Sequence, residues 1–581
     1  MARSKNDQLN WKVAGPAGKG IMTTGLIFSK TCAAHGWEIF DYAEYPSLIT
    51  GGHNAYQVLA SQDQAVSQQQ RLDLLVALDE STLDLHLAEL DDDSLVILDA
   101  KNLKSTYSGS GQAIDVPLQD LALEKTQDKL MANNVALGAS AALLGLDLKL
   151  LKKIIKHVFD KKGAKVVQLN QLAAESGFEY VQKTYPQFQA SPIKKNSQQL
   201  LTMTGNEAIS LGAIAGGLQF FVAYPMTPAS SILHILAAKA KQADIVVKHA
   251  EDEISVINMA LGASFAGVRA MTATSGGGFC YMTEAIGLSG VAELPMVIIE
   301  SMRPGPALGM PTWTAQGDLQ MVISAGQDEF PRIILASGDA TEAFEQTRLA
   351  FQLAEKYQLP VILLSDKYLS ESRFSLKLES EKFTNQRFGF TDKPQADENG
   401  FFPRYKIAKN GVSKRSIPGQ KNGTHLTNSY EHDQYGIGIE SGEIRQQQLE
   451  KRFSKQQQII EEIPPQFMSQ QPNSKLVLVG FGSSKGSLIA AAQILKEQNI
   501  PVDVCNLSWL WPFPVKQLEK LIKKGQEIVV VEGNSQGQLA TLITAQTGYK
   551  IKHFLRKYDG RPFYPTEIAA GVKKIIKKLG K

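Results

Sequence analysis

A chain of 581 residues with 43% apolar content can bury several hydrophobic cores, and its length allows about four domains. A net charge of +3 and 20% charged residues make no case for nucleic acid or an anionic membrane as partner. Cys32, Cys280 and Cys505 stand far apart with no Cys-x-x-Cys, which argues against a cluster or zinc site built by this chain alone and suits a reducing cytoplasm.

The first region, 9–190, reads as an α/β unit. Trp11 to Ala14 is a short strand, and Gly15-Pro-Ala-Gly-Lys-Gly20 turns the chain into a helix that runs through Ala34 and stops at Gly36. That turn is neither a Walker loop, which needs Lys followed by Ser or Thr, nor a clean Gly-x-Gly-x-x-Gly, so packing and phosphate binding both remain open for it. Strands follow at Glu38–Tyr42, Leu74–Leu78 and Leu95–Leu98, and Asn133 to Val158 is helical. The N-terminal Met-Ala-Arg-Ser-Lys-Asn-Asp has no apolar signal region, and no apolar run reaches the roughly 18 residues of a membrane span. Residues 187–200 have no periodicity and read as a linker.

The second unit, 201–370, alternates strand and helix, which predicts a parallel sheet covered on both faces. Its motifs fall where apolar runs end, at the strand edge where ligands collect in such sheets. The run Leu218 to Ala223 is stopped by Tyr224-Pro225, and Met226-Thr-Pro228 then reads as a helix start, with Thr227 as N-cap and Pro228 at the first helical position. Thr227 is either a plain cap or part of an anion site at the helix N-terminus. After a strand at Ile245–Val247, His249-Ala-Glu-Asp-Glu253 opens a helix expected from Glu251 to Gly267. Its three acids either complement the helix dipole or aim one carboxylate out of the strand edge for proton handling. The strand Ala270–Thr274 leads into Ser275-Gly-Gly-Gly278, a tight turn or a close backbone approach to a ligand. Pro295 to Ile299 is the next strand. Arg303, in the fixed loop Arg-Pro-Gly-Pro306, is a surface charge or a partner for a carboxylate.

From 371 to 472 apolar periodicity nearly vanishes and Gln, Asn and charge rise, so an extended surface connection, a polar linker region, is expected. It contains Glu431-His-Asp-Gln-Tyr-Gly436, whose adjacent acids and imidazole would point opposite ways on an extended chain, against a metal site there. Residues 475–581 form a third α/β unit, with strands at Lys475–Gly480, Val502–Leu507 and Glu527–Val531 and a turn Glu532-Gly-Asn-Ser-Gln-Gly-Gln-Leu539.

Taken together these motifs resemble one family. Tyr224-Pro-Met-Thr-Pro-Ala-Ser-Ser231 resembles the Tyr-Pro-Ile-Thr-Pro motif of 2-oxoacid:ferredoxin oxidoreductases, and His249-Ala-Glu-Asp-Glu253 and Thr272-Ala-Thr-Ser-Gly276 resemble its following motifs in order. The likeness is to an α subunit with a γ-type domain fused at its N-terminus, where Tyr45-Pro-Ser-Leu-Ile-Thr-Gly-Gly52 is similar to the family's Pro-Ser-x-x-x-Gly-Gly segment. Departures are Met226 for Ile, Gly277 for Pro, and Pro16 for a Gly. The fold implied is α/β in three units: a γ-type domain, a pyrimidine-type domain of the thiamine-diphosphate fold, and a transketolase C-terminal-like domain.

The chemistry implied by the resemblance is oxidative decarboxylation of a 2-oxo acid, 2-oxoglutarate by preference. The acyl group passes to coenzyme A, and electrons pass through an iron–sulfur cluster to ferredoxin. Thiamine diphosphate with Mg2+ and a [4Fe-4S] cluster would sit mainly on a partner β subunit, because this chain lacks cluster cysteines and a Gly-Asp-Gly…Asn motif. In the same terms Glu253, with Glu251 as alternative, would bond the cofactor's aminopyrimidine ring and so needs partial burial. Thr227 would bond the substrate's carboxylate or keto oxygen, and Arg303 would pair with the carboxylate. Tyr224, Pro225, Ser275 and Gly276 would line the cofactor. No metal is assigned to this chain's own side chains, and a cytoplasmic location without membrane or nucleic acid is expected. Pyruvate, branched-chain or aryl 2-oxo acids are the competing substrates. A non-catalytic coenzyme A- or nucleotide-binding protein, using the N-terminal glycine turn, is the competing class.

Overall fold

In the computed structural model the described residues are 8–48, 52–104, 106–188, 200–376, 385–523 and 525–579. Ile49, Thr50 and Gly51 of the Tyr45–Gly52 motif, and residues 189–199 of the expected linker, lie outside them. Two compact units are present: Met1–Met203 with Ser372–Leu378 and Tyr564–Glu567, and the remainder of the chain.

The first unit is built on an eight-stranded sheet in the order Gln112–Asp115, Leu95–Leu98, Leu74–Ala77, Gln8–Pro16, His53–Ser61, Glu38–Glu44, Arg373–Leu376, Leu201–Thr204. Gln8–Pro16 runs parallel to Leu74–Ala77 and antiparallel to His53–Ser61, pairing Gln8 with Ser61 and Pro16 with His53. Trp11 is fully buried and stacks on Phe28 of the helix Ile21–Ala34 at 4.0 Å. Gly20 ends the glycine turn at φ 72°, and a Cβ there would lie 2.4 Å from Asn133 Nδ2, so packing against the next helix requires glycine. The helical stretch expected from Asn133 to Val158 is two helices, Ala132–Leu144 and Leu148–Phe159, parted by Gly145 in the left-handed region.

The second unit holds two sheets. Seven strands run in the order Trp509–Trp511, Ile333–Ala336, Pro360–Asp366, Met296–Met302, Ala270–Thr274, Phe220–Ala223, Val246–His249. All neighbours are parallel except Trp509–Trp511, which lies antiparallel to Ile333–Ala336. The inner strands are mostly apolar because helices cover both of their faces: every residue of Met296–Met302 and of Pro360–Asp366 is buried. The five-stranded sheet runs Phe467–Ser469, Asp503–Leu507, Leu476–Phe481, Glu527–Glu532, His553–Arg556. Val222, Ile298 and Ile362 of the larger sheet share one apolar core with Val477, Cys505 and Val530 of the smaller.

The segment expected as an extended surface connection is not one. Phe402, Arg404, Tyr405, Arg415 and His432 are buried, and so are Gln448, Lys451, Arg452 and Lys455 of the helix Gly442–Glu461. Lys451 Nζ donates to Glu293 Oε1 at 2.5 Å, and Lys455 donates to the other oxygen of the same carboxylate. A hydropathy pattern misses such a helix because its buried side chains are charges matched by charges. Among the described residues no helix is long and apolar enough to cross a membrane.

Candidate active site

The four central motifs meet at the C-terminal edge of the seven-stranded sheet, each in the turn between a strand and its helix. The helix expected to start at Thr227-Pro228 starts at Ser230 instead, and Ala229 precedes it without a side-chain cap. Met226 to Ala229 forms a turn closed by Ala229 N–H to Met226 O at 2.9 Å, with Thr227-Pro228 joined by a cis peptide. Thr227 is therefore not a cap. Its carbonyl oxygen accepts from Arg303 Nη1 at 2.7 Å, which ties the first motif to the last.

The three acids of the second motif separate cleanly. Asp252 caps the helix Glu253–Phe265, its carboxylate accepting from Ser255 N–H at 2.7 Å. Glu251 is exposed and accepts from Ser255 Oγ at 2.7 Å. Glu253, the first helical residue, turns inward and is 5% exposed, and among the described residues no donor reaches its buried Oε1. A buried, unpartnered carboxylate oxygen is rare in a folded protein and marks a place where a donor is missing.

Glu253 reaches the start of the helix Gly276–Val291. A Cβ on Gly278 would lie 2.5 Å from Glu253 Oε1 and 2.1 Å from Thr274 Oγ1, so the glycine makes room for the acid. Gly278 N–H points at Met226 Sδ, 3.3 Å away, and a Cβ on Gly277 would sit 4.0 Å from the same sulfur. The two replacements at 226 and 277 thus face one another. Ser275 stands before the helix with its buried Oγ unpartnered. Tyr224 is 39% exposed with its ring 6.2 Å from that of His249, and Pro225 is half-buried beside it.

Arg303 is nine-tenths buried, and among the described residues no carboxylate is within ion-pair distance of it. Burial lowers its pKa, with the Asp318 charge acting in the opposite sense. Two nearby acids were not anticipated. Glu300 is fully buried, among the described residues no amide, hydroxyl or cationic donor reaches its oxygens, and burial followed by the Asp318 charge pushes its pKa well above the ordinary carboxyl range. Asp318 packs on the first residue of the 276–291 helix, where a Cβ on Gly276 would be 2.6 Å from Oδ2, and burial raises its pKa too. A signal existed for Glu300: it is the single charge in the apolar run Met296–Met302.

The buried carboxylate, the glycine-lined helix start and the fixed arginine stand together at one sheet edge, an acid without a donor on one side and a fixed cation on the other. Three family models match the chain: residues 10–180 match "Pyruvate ferredoxin/flavodoxin oxidoreductase", 211–451 match "Pyruvate flavodoxin/ferredoxin oxidoreductase, thiamine diP-bdg", and 474–568 match "Pyruvate:ferredoxin oxidoreductase core domain II". The α subunit of 2-oxoacid:ferredoxin oxidoreductase 2 of Aeropyrum pernix is 32% identical over 97% of both chains. The chain belongs to the family of 2-oxoacid:ferredoxin oxidoreductase α subunits. The 2-oxoglutarate oxidoreductase subunit KorA of Mycobacterium tuberculosis is 27% identical over 97% of this chain and 91% of its own. A solved 2-oxoglutarate:ferredoxin oxidoreductase from Magnetococcus marinus, with 2-oxoglutarate, coenzyme A and succinyl-CoA bound, matches with a TM-score of 0.90 at 30% identity, covering 98% of this chain and 100% of that one. The α/β fold and the oxidoreductase activity follow from membership, and the competing binding-protein class does not survive it. The matched thiamine diphosphate-binding stretch contains Tyr224, Pro225, Thr227, Glu253, Ser275, Gly276 and Arg303.

Proposed function

We propose that this α subunit supplies the pyrimidine half of a shared active site that oxidatively decarboxylates 2-oxoglutarate, passing the succinyl group to coenzyme A and the electrons to ferredoxin. The reading rests above all on Glu253 Oε1, buried without a donor at the mouth of the glycine-rich helix start. Thiamine diphosphate, when bound, supplies the carbon nucleophile for the 2-oxo group. Glu253 would hold the amino-substituted ring and fix the proton on its ring nitrogen, a role that needs a dehydrated carboxylate. Gly276, Gly278 and Ser275 would border the ring, with Tyr224 and Pro225 at the rim. Arg303, held in place through Thr227 O, would pair with the substrate carboxylate, while Thr227 bonds its carboxylate or keto oxygen.

The rest of the site belongs to a β subunit in this reading: the Mg2+ that holds the diphosphate, and a [4Fe-4S] cluster that relays electrons to ferredoxin. Three scattered cysteines, two of them buried, support placing the cluster there. Exposed apolar side chains on the same elements as the site, among them Val246, Ile254, Tyr281, Leu308 and Met310, support a partner surface around it. A cytoplasmic location fits the unpaired thiols. Relatives named for 2-oxoglutarate and a neighbour holding that acid support the substrate.

The test is dye reduction with coenzyme A and thiamine diphosphate over a panel of 2-oxo acids, using this chain alone and co-expressed with its β subunit. Activity in the pair only, highest with 2-oxoglutarate, is expected. A preference for pyruvate or for branched-chain acids would overturn the substrate, and full activity of the chain alone would overturn the shared site.

A further inference from the structure

Glu300 and Asp318 are not explained by the roles given above. Glu300 ends the apolar part of its strand, three residues before Arg303, and no amide, hydroxyl or cationic donor reaches either of its oxygens among the described residues. The group at hydrogen-bond distance from it is another acid, Asp318. Two carboxyl groups in contact, without a lysine, arginine or amide between them, are held together by a shared proton: one donates and the other accepts. Asp318 in turn stands against Gly276 at the start of the 276–291 helix, in the field of Arg303. The other titratable groups that face the pair are Asp366 from the strand Pro360–Asp366 and Cys280 from the helix Gly276–Val291.

The geometry points to Glu300 and Asp318 as a positioning pair that sets the charge facing the substrate: it takes up a proton from solvent when a substrate carboxylate reaches Arg303 and returns it once that carboxylate has left as carbon dioxide. This rests on the reading of Arg303 given above. With one proton on the pair, its remaining charge balances that of Arg303. A substrate carboxylate reaching the buried Arg303 adds an anion that a single guanidinium, already balanced by the pair, does not cover. A second proton on the pair removes its charge and leaves the whole of Arg303 to the substrate. No bond other than those to this proton changes. Burial, which favours the protonated form of both acids and raises both above the ordinary carboxyl range, agrees with the role.

The experiment is the pH dependence of KM and kcat for 2-oxoglutarate, measured by dye reduction with the α–β holoenzyme from about pH 6 to about pH 9. One linked proton makes KM rise toward a limit of about tenfold per pH unit. Asp318→Asn is expected to flatten that rise and to lower KM at the alkaline end below that of the unmodified enzyme, a gain that loss of structure does not produce. Glu300→Gln, which keeps a donor toward Asp318, is expected to flatten the rise with KM held high. A flat KM in the unmodified enzyme, or an unchanged slope in both variants, overturns the proposal. Arg303→Met separates the two layers: KM raised about tenfold or more at every pH upholds the reading of Arg303, and an unchanged KM overturns that reading and the pair's role with it.

Discussion

Glu251 and Glu253 are two positions apart and differ in their surroundings: one is in water, bonded to Ser255, and the other is buried with an oxygen that nothing donates to. Glu253→Gln is expected to lower turnover of the holoenzyme by about 10²–10⁴-fold, with the β subunit still co-purifying, while Glu251→Gln stays near the unmodified rate. Equal rates for both variants would remove Glu253 from the chemistry. The glycine triplet divides in the same way. Gly278→Ala puts a methyl group 2.5 Å from Glu253 Oε1 and is expected to displace that carboxylate and the activity with it, whereas Gly277→Ala meets only ordinary contacts near 4 Å and is expected to be tolerated. Residue type alone did not show which of the two glutamates turns inward; the family resemblance pointed to Glu253 with Glu251 as alternative, and Glu253 is the buried one. The cap geometry at Asp252 decides it, by setting the first helical residue at 253.

At the scale of elements, strands were legible where burial on both faces made the run mostly apolar, as in Leu95–Leu98 and Glu527–Glu532. His53–Ser61 was not, because its His, Asn, Gln and Ser lie among the apolar residues, although Ala55 through Ser61 are all buried. The helix Gly442–Glu461 reads as polar all round, and its place is set by ion pairs instead of an apolar stripe. Glu293 is the keystone of those pairs. Burial alone would raise its pKa, but Lys451, Lys455 and Arg404 together outweigh that and hold it well below the usual carboxylate range. Its contribution to stability is thus present above the unfolded-state value near 4.5 and lost as pH falls through the folded-state value. Glu293→Gln leaves two buried lysines against one neutral amide and is expected to cost about 3–5 kcal/mol at neutral pH. Thermal or denaturant unfolding would measure this, with the gap to the unmodified chain closing in acid; a gap independent of pH would mean that packing, and not charge, was lost.

The molecule as a whole places its candidate site where sequence order alone suggested, at the ends of the strands that precede Tyr224, Glu253, Ser275 and Arg303. What was not legible was the joining of parts distant in sequence. The core of the seven-stranded sheet continues into the five-stranded one, and the strand Trp509–Trp511 crosses over to lie beside Ile333–Ala336, with Leu335 paired to Trp509 and Ile334 to Trp511. A three-residue strand of two tryptophans and a leucine gives no periodicity to read. That short strand is a cover. Without it, Ile333–Ala336 would end the sheet as a bare rim of backbone amides and carbonyls flanked by isoleucine and leucine, the kind of surface on which another chain can crystallise strand by strand. A fragment stopping before residue 475 would carry all of the catalytic motifs and also that rim, so its first reaction in solution would be with copies of itself.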